Sequence, residues 1–215
     1  MIVDTWVRGY RFAFGALAIW AVVWDFIDQN RHKPDFNPAN FWSLFTFQSN
    51  IIAGVILILG AVLPAAFLHS ERWNFVRGAG VMFMVTTGVV YATLLGGLFN
   101  PFDGSHSWMN AVLHQLTPIV MVVDLILQPP VTRLSYRKAL IWTVYPLLFL
   151  VYSLIRGPIV DWYPYDFIDP HEVGGYGGVA MYSVAILVGF LLMAGFVVLL
   201  SRVASRQLRV EPALA

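Results

Sequence analysis

Residues 41–67 read FWSLFTFQSNIIAGVILILGAVLPAAF and contain no charged side chain. A run this long can cross a bilayer, because a membrane-spanning helix needs about 20 mainly apolar residues. Its hydrophobicity is continuous rather than alternating, which favours a helix over a strand. Within the run, residues 43–50 include hydroxyl and amide side chains. Polar groups are costly in hydrocarbon, so this stretch predicts a spanning helix that also contains a candidate site.

Five further apolar runs predict that the whole chain is a membrane domain. Of its 215 residues, 59% are hydrophobic and only 12% are charged, whereas roughly a quarter are charged in soluble domains. The predicted fold is all-α, a single polytopic domain over residues 1–215 with six transmembrane helices and no soluble appendage. The first run lacks a small-residue cleavage site and is expected to be retained. The predicted spans are 10–27, 41–67, 75–98, 108–127, 139–155 and 179–201.

The positions of the lysines and arginines predict how the spans are oriented. Ten of the 13, including Arg11 and Arg77, lie at the chain ends or in the even-numbered loops, and three lie in the other loops. Cytoplasmic loops carry an excess of these residues, so both termini are predicted to be cytoplasmic. Asp124 lies towards the same side in span four. We interpret it as a structural partner of a basic residue or a tyrosine.

The composition excludes several classes of function. Disulfides and thiolate catalysis are excluded because the chain has no cysteine, and a net charge of +1 gives no reason to expect nucleic acid. Lys33 and Lys138 are the only lysines and lie outside the spans, which excludes a retinal Schiff base. Only one histidine, His114, lies within a span, which argues against haem. We therefore expect no cofactor.

The connection 157–178 is the one long loop and is rich in Trp, Tyr, Pro, Asp and Gly. Long loops in compact domains are usually functional or disordered. Its aromatic residues favour a structured cap at the outer interface, and an aromatic belt that only anchors the helices is an equally good interpretation. The possible metal ligands here are Asp166, Asp169, His171 and Glu172. Because their spacing matches no established metal motif, we prefer a solvated acidic loop and expect no metal.

Helical periodicity places the polar side chains of span two on one face. At about 100° per residue, Ser43, Ser49 and Asn50 fall within about 60° of Thr46, while Gln48 lies opposite. A polar stripe on a membrane helix is expected to face the protein interior or a cavity.

Span four has a similar polar face, formed by Asn110, His114, Thr117 and Pro118. Under the predicted topology both spans enter from the outer side. Thr46 and His114 then lie at equal depth, roughly 8–9 Å at about 1.5 Å per residue. The two side chains are therefore able to meet.

A hydroxyl beside an imidazole is the minimum set for nucleophilic acyl transfer. His114 would take the proton of the Thr46 hydroxyl, and Asn50 or Gln115 would donate a hydrogen bond to the resulting oxyanion. The structural alternative is a neutral His114 that binds a helix carbonyl, together with a Thr46 hydroxyl that bonds back to its own helix.

Three more residues are candidates for binding the polar end of a substrate. Tyr91 in span three is predicted at the level of the pair, whereas Tyr152 and Arg156 share a face of span five. A guanidinium suits a carboxylate or a lipid phosphate because of its planar fork. An ion pair with Asp25 or Asp28 is an equally good interpretation of Arg156.

Four motifs together resemble a known family. They are FTFQSN at 45–50, LHQLTP at 113–118, YPLLFLVYSLIRG at 145–157 and YPYDFID at 163–169. In this order they resemble a family of small bacterial six-span membrane proteins, from about residue 10 to residue 200. That family is distantly similar to the eukaryotic androgen-induced and androgen-dependent membrane proteins.

The resemblance implies a function and a location. The eukaryotic members are threonine hydrolases that cleave fatty acid esters of hydroxy fatty acids, and their threonine and histidine fall on Thr46 and His114. The chain is therefore expected to hydrolyse lipid esters in the bilayer of the bacterial inner membrane. The alternative is a non-enzymatic lipid-binding or carrier protein that uses the same polar pocket. The expected partners are a lipid or fatty acid ester and the bilayer, without nucleic acid, and no oligomeric state is predicted.

Overall fold

Six long helices make up most of the described part of the chain. The computed structural model describes residues 5–95, 108–130 and 133–210, with side chains as far as residue 205. All regular structure in these ranges is helical, and six helices are long and apolar enough to cross a membrane. They are α1 (Thr5–His32), α2 (Phe45–Val62), α3 (Glu71–Leu94), α4 (Trp108–Leu127), α5 (Tyr136–Val160) and α6 (Tyr176–Val210). The prediction of an all-α chain with six such helices is confirmed.

The helix ends differ from the predicted spans in most cases. The fourth helix has the predicted limits, whereas α1 and α6 both extend beyond the predicted 10–27 and 179–201. Hydrogen bonding within a helix continues through polar residues past the apolar run, so hydropathy alone places such ends too early. The predicted end of span three at residue 98 lies outside the described residues.

The second predicted span, 41–67, is not a single helix, and its break at Pro64 was expected from the sequence whereas the break near Ser43 was not. A short helix, Pro38–Trp42, is capped by Asn37, and the chain then breaks at Ser43 and Leu44 before α2 begins. The Ser43 hydroxyl donates to the Ala39 carbonyl at 2.7 Å, which closes the short helix. At the other end Pro64 follows an extended Leu63, because proline disfavours the helical conformation in the residue before it.

Helix α2 lies at the centre of the bundle. Of its most apolar stretch 61% is buried, against 22% for α6. It packs against α1 and α3, and α3 in turn contacts α4 and α6. The core between α2, α3 and α4 contains Ile56, Leu57, Met82, Met84, Met121 and Leu125. A side chain at the start of α2 is therefore positioned by the most enclosed element of the protein.

The contact between α1 and α2 depends on two glycines. A β carbon on Gly15 would lie 2.9 Å from the Gly54 carbonyl oxygen and 3.0 Å from the Leu57 β carbon. We expect Gly15→Ala to lower the free energy of unfolding by about 1–3 kcal/mol, because the backbones would have to separate. The measurement is unfolding in detergent micelles.

Gly9→Ala is the matched control for this prediction. Gly9 belongs to the same helix, but a β carbon there meets nothing within 4 Å. Alanine is the better helix former by about 1 kcal/mol, so this variant should be neutral or slightly stabilised. Equal stability of the Gly9 and Gly15 variants would contradict the close approach of α1 and α2.

Three charged side chains lie buried between the helices. Arg11 and Arg77 are each 1% exposed, although the sequence analysis counted them with the charges at the chain ends and loops. Asp124, also 1% exposed, accepts from Arg11 Nε at 2.5 Å and from Arg77 Nη1 at 3.5 Å. The interpretation that Asp124 pairs with a basic residue is confirmed, and the cluster joins α1, α3 and α4.

Candidate active site

Thr46 occupies the first turn of α2. The helix begins at Phe45, directly after an extended Leu44 with φ −90° and ψ 127°, and no side chain caps it. Thr46 is 8% exposed, and its Oγ1 lies 3.3 Å from Nε2 of His114. The two side chains that the sequence analysis singled out are thus within hydrogen-bonding reach of each other.

The hydrogen bonds of His114 define its tautomer. Nδ1 lies 3.2 Å from the backbone carbonyl of Asn110. Because a carbonyl only accepts, Nδ1 carries the proton, and in the neutral ring Nε2 is left as an acceptor. Nε2 therefore accepts from the Thr46 hydroxyl, as a general base must. The structural alternative, a neutral His114 bound to a helix carbonyl, requires this hydrogen bond to Asn110, and it is present. The nitrogen that makes it is Nδ1, however, whereas Nε2 faces Thr46.

Tyr91 holds the plane of the imidazole. Its ring stacks on His114 with 4.0 Å between the ring centroids and an angle of 18° between the planes. The Asn110 side-chain amide donates to the Tyr91 hydroxyl. Tyr91 therefore lies at the candidate pair, as the sequence analysis expected, but it contacts the histidine rather than the space where a substrate would bind.

His114 is the central residue of a π-helical turn, Val112–Leu116. Pro118 has no N–H to donate to the His114 carbonyl. The Thr117 hydroxyl donates to a different carbonyl, that of Val112, five residues earlier, at 2.9 Å. The Thr117 N–H donates to the same carbonyl. On α3, a β carbon at Gly88 would lie 3.2 Å from the His114 carbonyl oxygen. π turns are rare and frequent at functional sites, and the sequence analysis treated this stretch as regular helix.

The structure does not support Asn50 as an oxyanion donor. Its two amide hydrogens go to the backbone carbonyls of Thr46 at 2.8 Å and Leu113 at 3.1 Å, so the side chain instead ties α2 to the π turn. The Ser49 hydroxyl also donates to the Thr46 carbonyl, at 3.0 Å. Gln115 is half-buried, and its side chain makes no hydrogen bond within the described part of the chain.

Tyr152 and Arg156 contact the segment that precedes α2 rather than the candidate pair. The Tyr152 hydroxyl lies 2.8 Å from the Ser43 hydroxyl, and Arg156 donates to the Asn40 side chain at 2.5 Å. The guanidinium also lies over the ring of Trp162, 5.3 Å from its centroid. Both residues therefore fix the approach to the α2 N-terminus, and neither belongs to the pocket that Thr46 lines.

A largely apolar pocket begins at Thr46. Its empty space, with the open mouth included, is about 770 Å³. Aliphatic and aromatic side chains of α3, α5, α6 and the loop after α5 form most of its wall, including Val90, Leu147, Leu150, Ile168, Ile186, Leu187 and Phe190. The Thr86 hydroxyl on this wall is buried and has no hydrogen-bond partner in the structure as described. Such a pocket fits a hydrocarbon chain with one polar end at Thr46.

Tyr165 is the functional candidate that the sequence analysis did not single out. The predicted loop 157–178 is shorter in the structure, because α5 continues to Val160 and α6 begins at Tyr176. Within it Tyr165 stacks on Phe167, and its hydroxyl accepts from the Thr46 N–H at 3.4 Å. Burial raises the pKa of Tyr165 above its usual value, so the phenol stays neutral. Only the YPYD segment and its aromatic richness pointed to a cap.

Comparisons with known proteins return no match: no family model, no curated protein and no solved structure is similar to the chain. The family resemblance of the four motifs stays a prediction. In the described ranges, no three His, Cys, Asp or Glu side chains are grouped as metal ligands would be.

Proposed function

We propose that the protein is an intramembrane hydrolase of lipid esters, with Thr46 as nucleophile and His114 as general base and acid. The observation that carries this proposal is the 3.3 Å contact between Thr46 Oγ1 and His114 Nε2, with Nδ1 facing the Asn110 carbonyl. In hydrolases with a Ser-His-Asp triad a carboxylate orients the histidine. Here the backbone carbonyl of Asn110 supplies the same orientation.

The reaction proceeds in two steps through an acyl-enzyme. Thr46 Oγ attacks the ester carbonyl carbon while its proton passes to His114 Nε2, and the carbonyl π electrons move onto the oxygen. When the intermediate collapses, the bond to the alcohol oxygen breaks and His114 returns the proton to that oxygen. Water then attacks the acyl-Thr46 ester with the same assistance, which releases a carboxylic acid and restores the hydroxyl.

The pocket supports an acyl chain as the group transferred to Thr46. Its wall is mainly apolar, and Thr46 and Tyr165 are among its few polar residues. A substrate of the fatty acid ester of hydroxy fatty acid type satisfies this pattern, and it would reach the site from within the bilayer. We also propose that both termini are cytoplasmic and that the membrane is a bacterial inner membrane. These two proposals rest on the positive-inside count and the four motifs.

Covalent labelling tests the proposal. We expect an alkyl fluorophosphonate to form one adduct on Thr46, because the reagent reports a hydroxyl that an adjacent base activates. The adduct is located by mass spectrometry of the digested protein. Thr46→Ala and His114→Gln should both abolish labelling. Thr93→Ala is the control, because this exposed threonine only bonds back to its own helix, and it should label like the parent.

A lipid-binding or carrier protein is the second candidate, because the same apolar pocket accommodates a lipid without any reaction. The labelling experiment separates the two. An unlabelled Thr46 in folded parent protein that still binds a fluorescent fatty acid would reject the hydrolase and favour the carrier. An adduct on Thr46 that depends on His114 would reject a purely passive pocket.

A further inference from the structure

The proposed reaction needs hydrogen-bond donors for the negative charge that develops on the ester carbonyl oxygen. Such donors are usually the largest single contribution to catalysis of acyl transfer. Asn50 does not supply them, because both of its amide hydrogens bind backbone carbonyls. Gln115, the other donor that the sequence suggested, does not line the pocket. The donors are therefore expected from another group that lies beside Thr46 and lines the same pocket.

The first turn of α2 has the required character. Its backbone N–H groups have no partner within the helix, and the side chain of the N-cap residue, Leu44, does not cap them. The positive end of the helix dipole lies at the same place and favours a negative charge. Thr46 is the second residue of the helix, so its own N–H lies next to the hydroxyl that attacks. Hydrolases with a Ser-His-Asp triad use the N–H of the nucleophile in the same way.

Tyr165 is the group that meets this turn. Its hydroxyl oxygen accepts from the Thr46 N–H at 3.4 Å and also faces the Thr46 hydroxyl and the N–H of Phe45. Because that oxygen is the acceptor in this contact, its hydrogen remains to be donated. The ring lies near Phe149 at 6.3 Å and on Phe167 at 5.0 Å between centroids, which fixes the direction of the hydroxyl.

Two independent features indicate that a ligand atom enters here. Phe45, Thr46 and Tyr165, which contact one another, all line the pocket. Thr86, 5% exposed and in the same wall, has a buried hydroxyl without a hydrogen-bond partner in the described residues. A buried unpaired hydroxyl is costly, and a polar atom of a bound molecule would pair with it.

We propose that the Thr46 N–H and the Tyr165 hydroxyl form the oxyanion site of the hydrolase, with the acyl chain in the pocket beyond them. This inference rests on the proposed function and assigns Tyr165 as a catalytic residue. As Thr46 Oγ bonds to the carbonyl carbon, the electron pair moves to the oxygen, which accepts from both donors. When the leaving alkoxide departs with the proton from His114, that electron pair re-forms the carbonyl.

The proposal also implies a small movement of the loop that contains Tyr165. A contact of 3.4 Å between Thr46 N and the Tyr165 oxygen is long compared with the usual ~2.9 Å. A carbonyl oxygen between the two donors would need about 2.9 Å to each, and hence a separation of about 5 Å between them. The weak contact of the free protein is therefore replaced by two better ones when substrate binds.

Tyr165→Phe tests the assignment, because it removes only the hydroxyl. We expect kcat to fall about 10²-fold with KM little changed, as for loss of one oxyanion donor in other hydrolases. The rate of Thr46 labelling by a fluorophosphonate should fall as well, since the phosphoryl oxygen occupies the same site. Tyr163→Phe is the matched control, the same change two residues away, and should retain the kcat of the parent.

A second variant gives a readout that a purely structural role would not change. With a fluorinated tyrosine of lower pKa at position 165, activity should disappear at the pH where that phenol ionises, because a phenolate cannot donate. An unchanged pH profile, or a Tyr165→Phe kcat within twofold of the parent, would overturn the oxyanion assignment. If Thr46 is still labelled in the same experiment, the proposed hydrolase function is retained. Equal losses in Tyr163→Phe and Tyr165→Phe would overturn it too. An inert parent protein would instead reject the proposed function.

Discussion

Replacement of His114 by glutamine is expected to lower kcat for ester hydrolysis by at least about 10³-fold, because the Thr46 hydroxyl then has no base to take its proton. Glutamine is close to histidine in size and can still donate towards the Asn110 carbonyl, which His114 meets at 3.2 Å. The π turn and the stacking space beside Tyr91 should therefore persist. The measurement is steady-state hydrolysis of a long-chain fatty acid ester in detergent or liposomes.

The comparison with Thr46→Ala makes this prediction specific. Nucleophile and base act as one unit, so the double variant should be no slower than the worse of the two single variants. His171→Gln is the control, because this exposed histidine pairs with Asp169 and does not line the pocket. Activity of His114→Gln within tenfold of the parent would show that Thr46 is not activated by His114. The carrier would then be the better proposal.

Helical periodicity, together with the predicted topology that put both residues at equal depth, brought Thr46 and His114 together from the sequence. Each belongs to a polar face in an otherwise apolar run. Because polar groups are costly in hydrocarbon, such faces pack towards each other in the protein interior. The same rule identified Asn50, but its role depended on the two carbonyls within its reach. Periodicity reports which face a side chain lies on and does not report which partner it binds.

Other features of the site depend on backbone geometry that periodicity does not describe. Leu44 interrupts what reads as one apolar helix, and this break moves Thr46 into a first turn whose N–H groups have no partner within the helix. Tyr165 lies in a loop, where no repeat relates sequence position to direction. Arg11 and Arg77 were placed at membrane ends because hydropathy scores each residue by its type, whereas their burial depends on Asp124.

Asp124→Asn should destabilise the protein by about 3–5 kcal/mol, the range observed when one partner of a buried ion pair is removed. Two guanidiniums, each 1% exposed, share this one carboxylate, so the variant leaves two positive charges unneutralised inside the bundle. Asparagine keeps the size of the side chain and one acceptor oxygen. A loss of stability in this variant would therefore result from the lost charge rather than from a cavity. The loss of stability is measured by unfolding in detergent micelles. Asp28→Asn is the control and should change stability little, because the Asp28 side chain is 44% exposed.

The arginines allow a sharper test of the same cluster. Arg77→Gln leaves one guanidinium, that of Arg11, facing one carboxylate at 2.5 Å. Because the cluster is then neutral, this variant should lose less stability than Asp124→Asn, although the bond from Arg77 to the Gln128 carbonyl is lost as well. The double variant, Arg77→Gln with Asp124→Asn, should be more stable than Asp124→Asn alone, because only one buried charge remains unpaired. The opposite order would mean that packing of Arg77, rather than its charge, dominates at this junction of α1, α3 and α4.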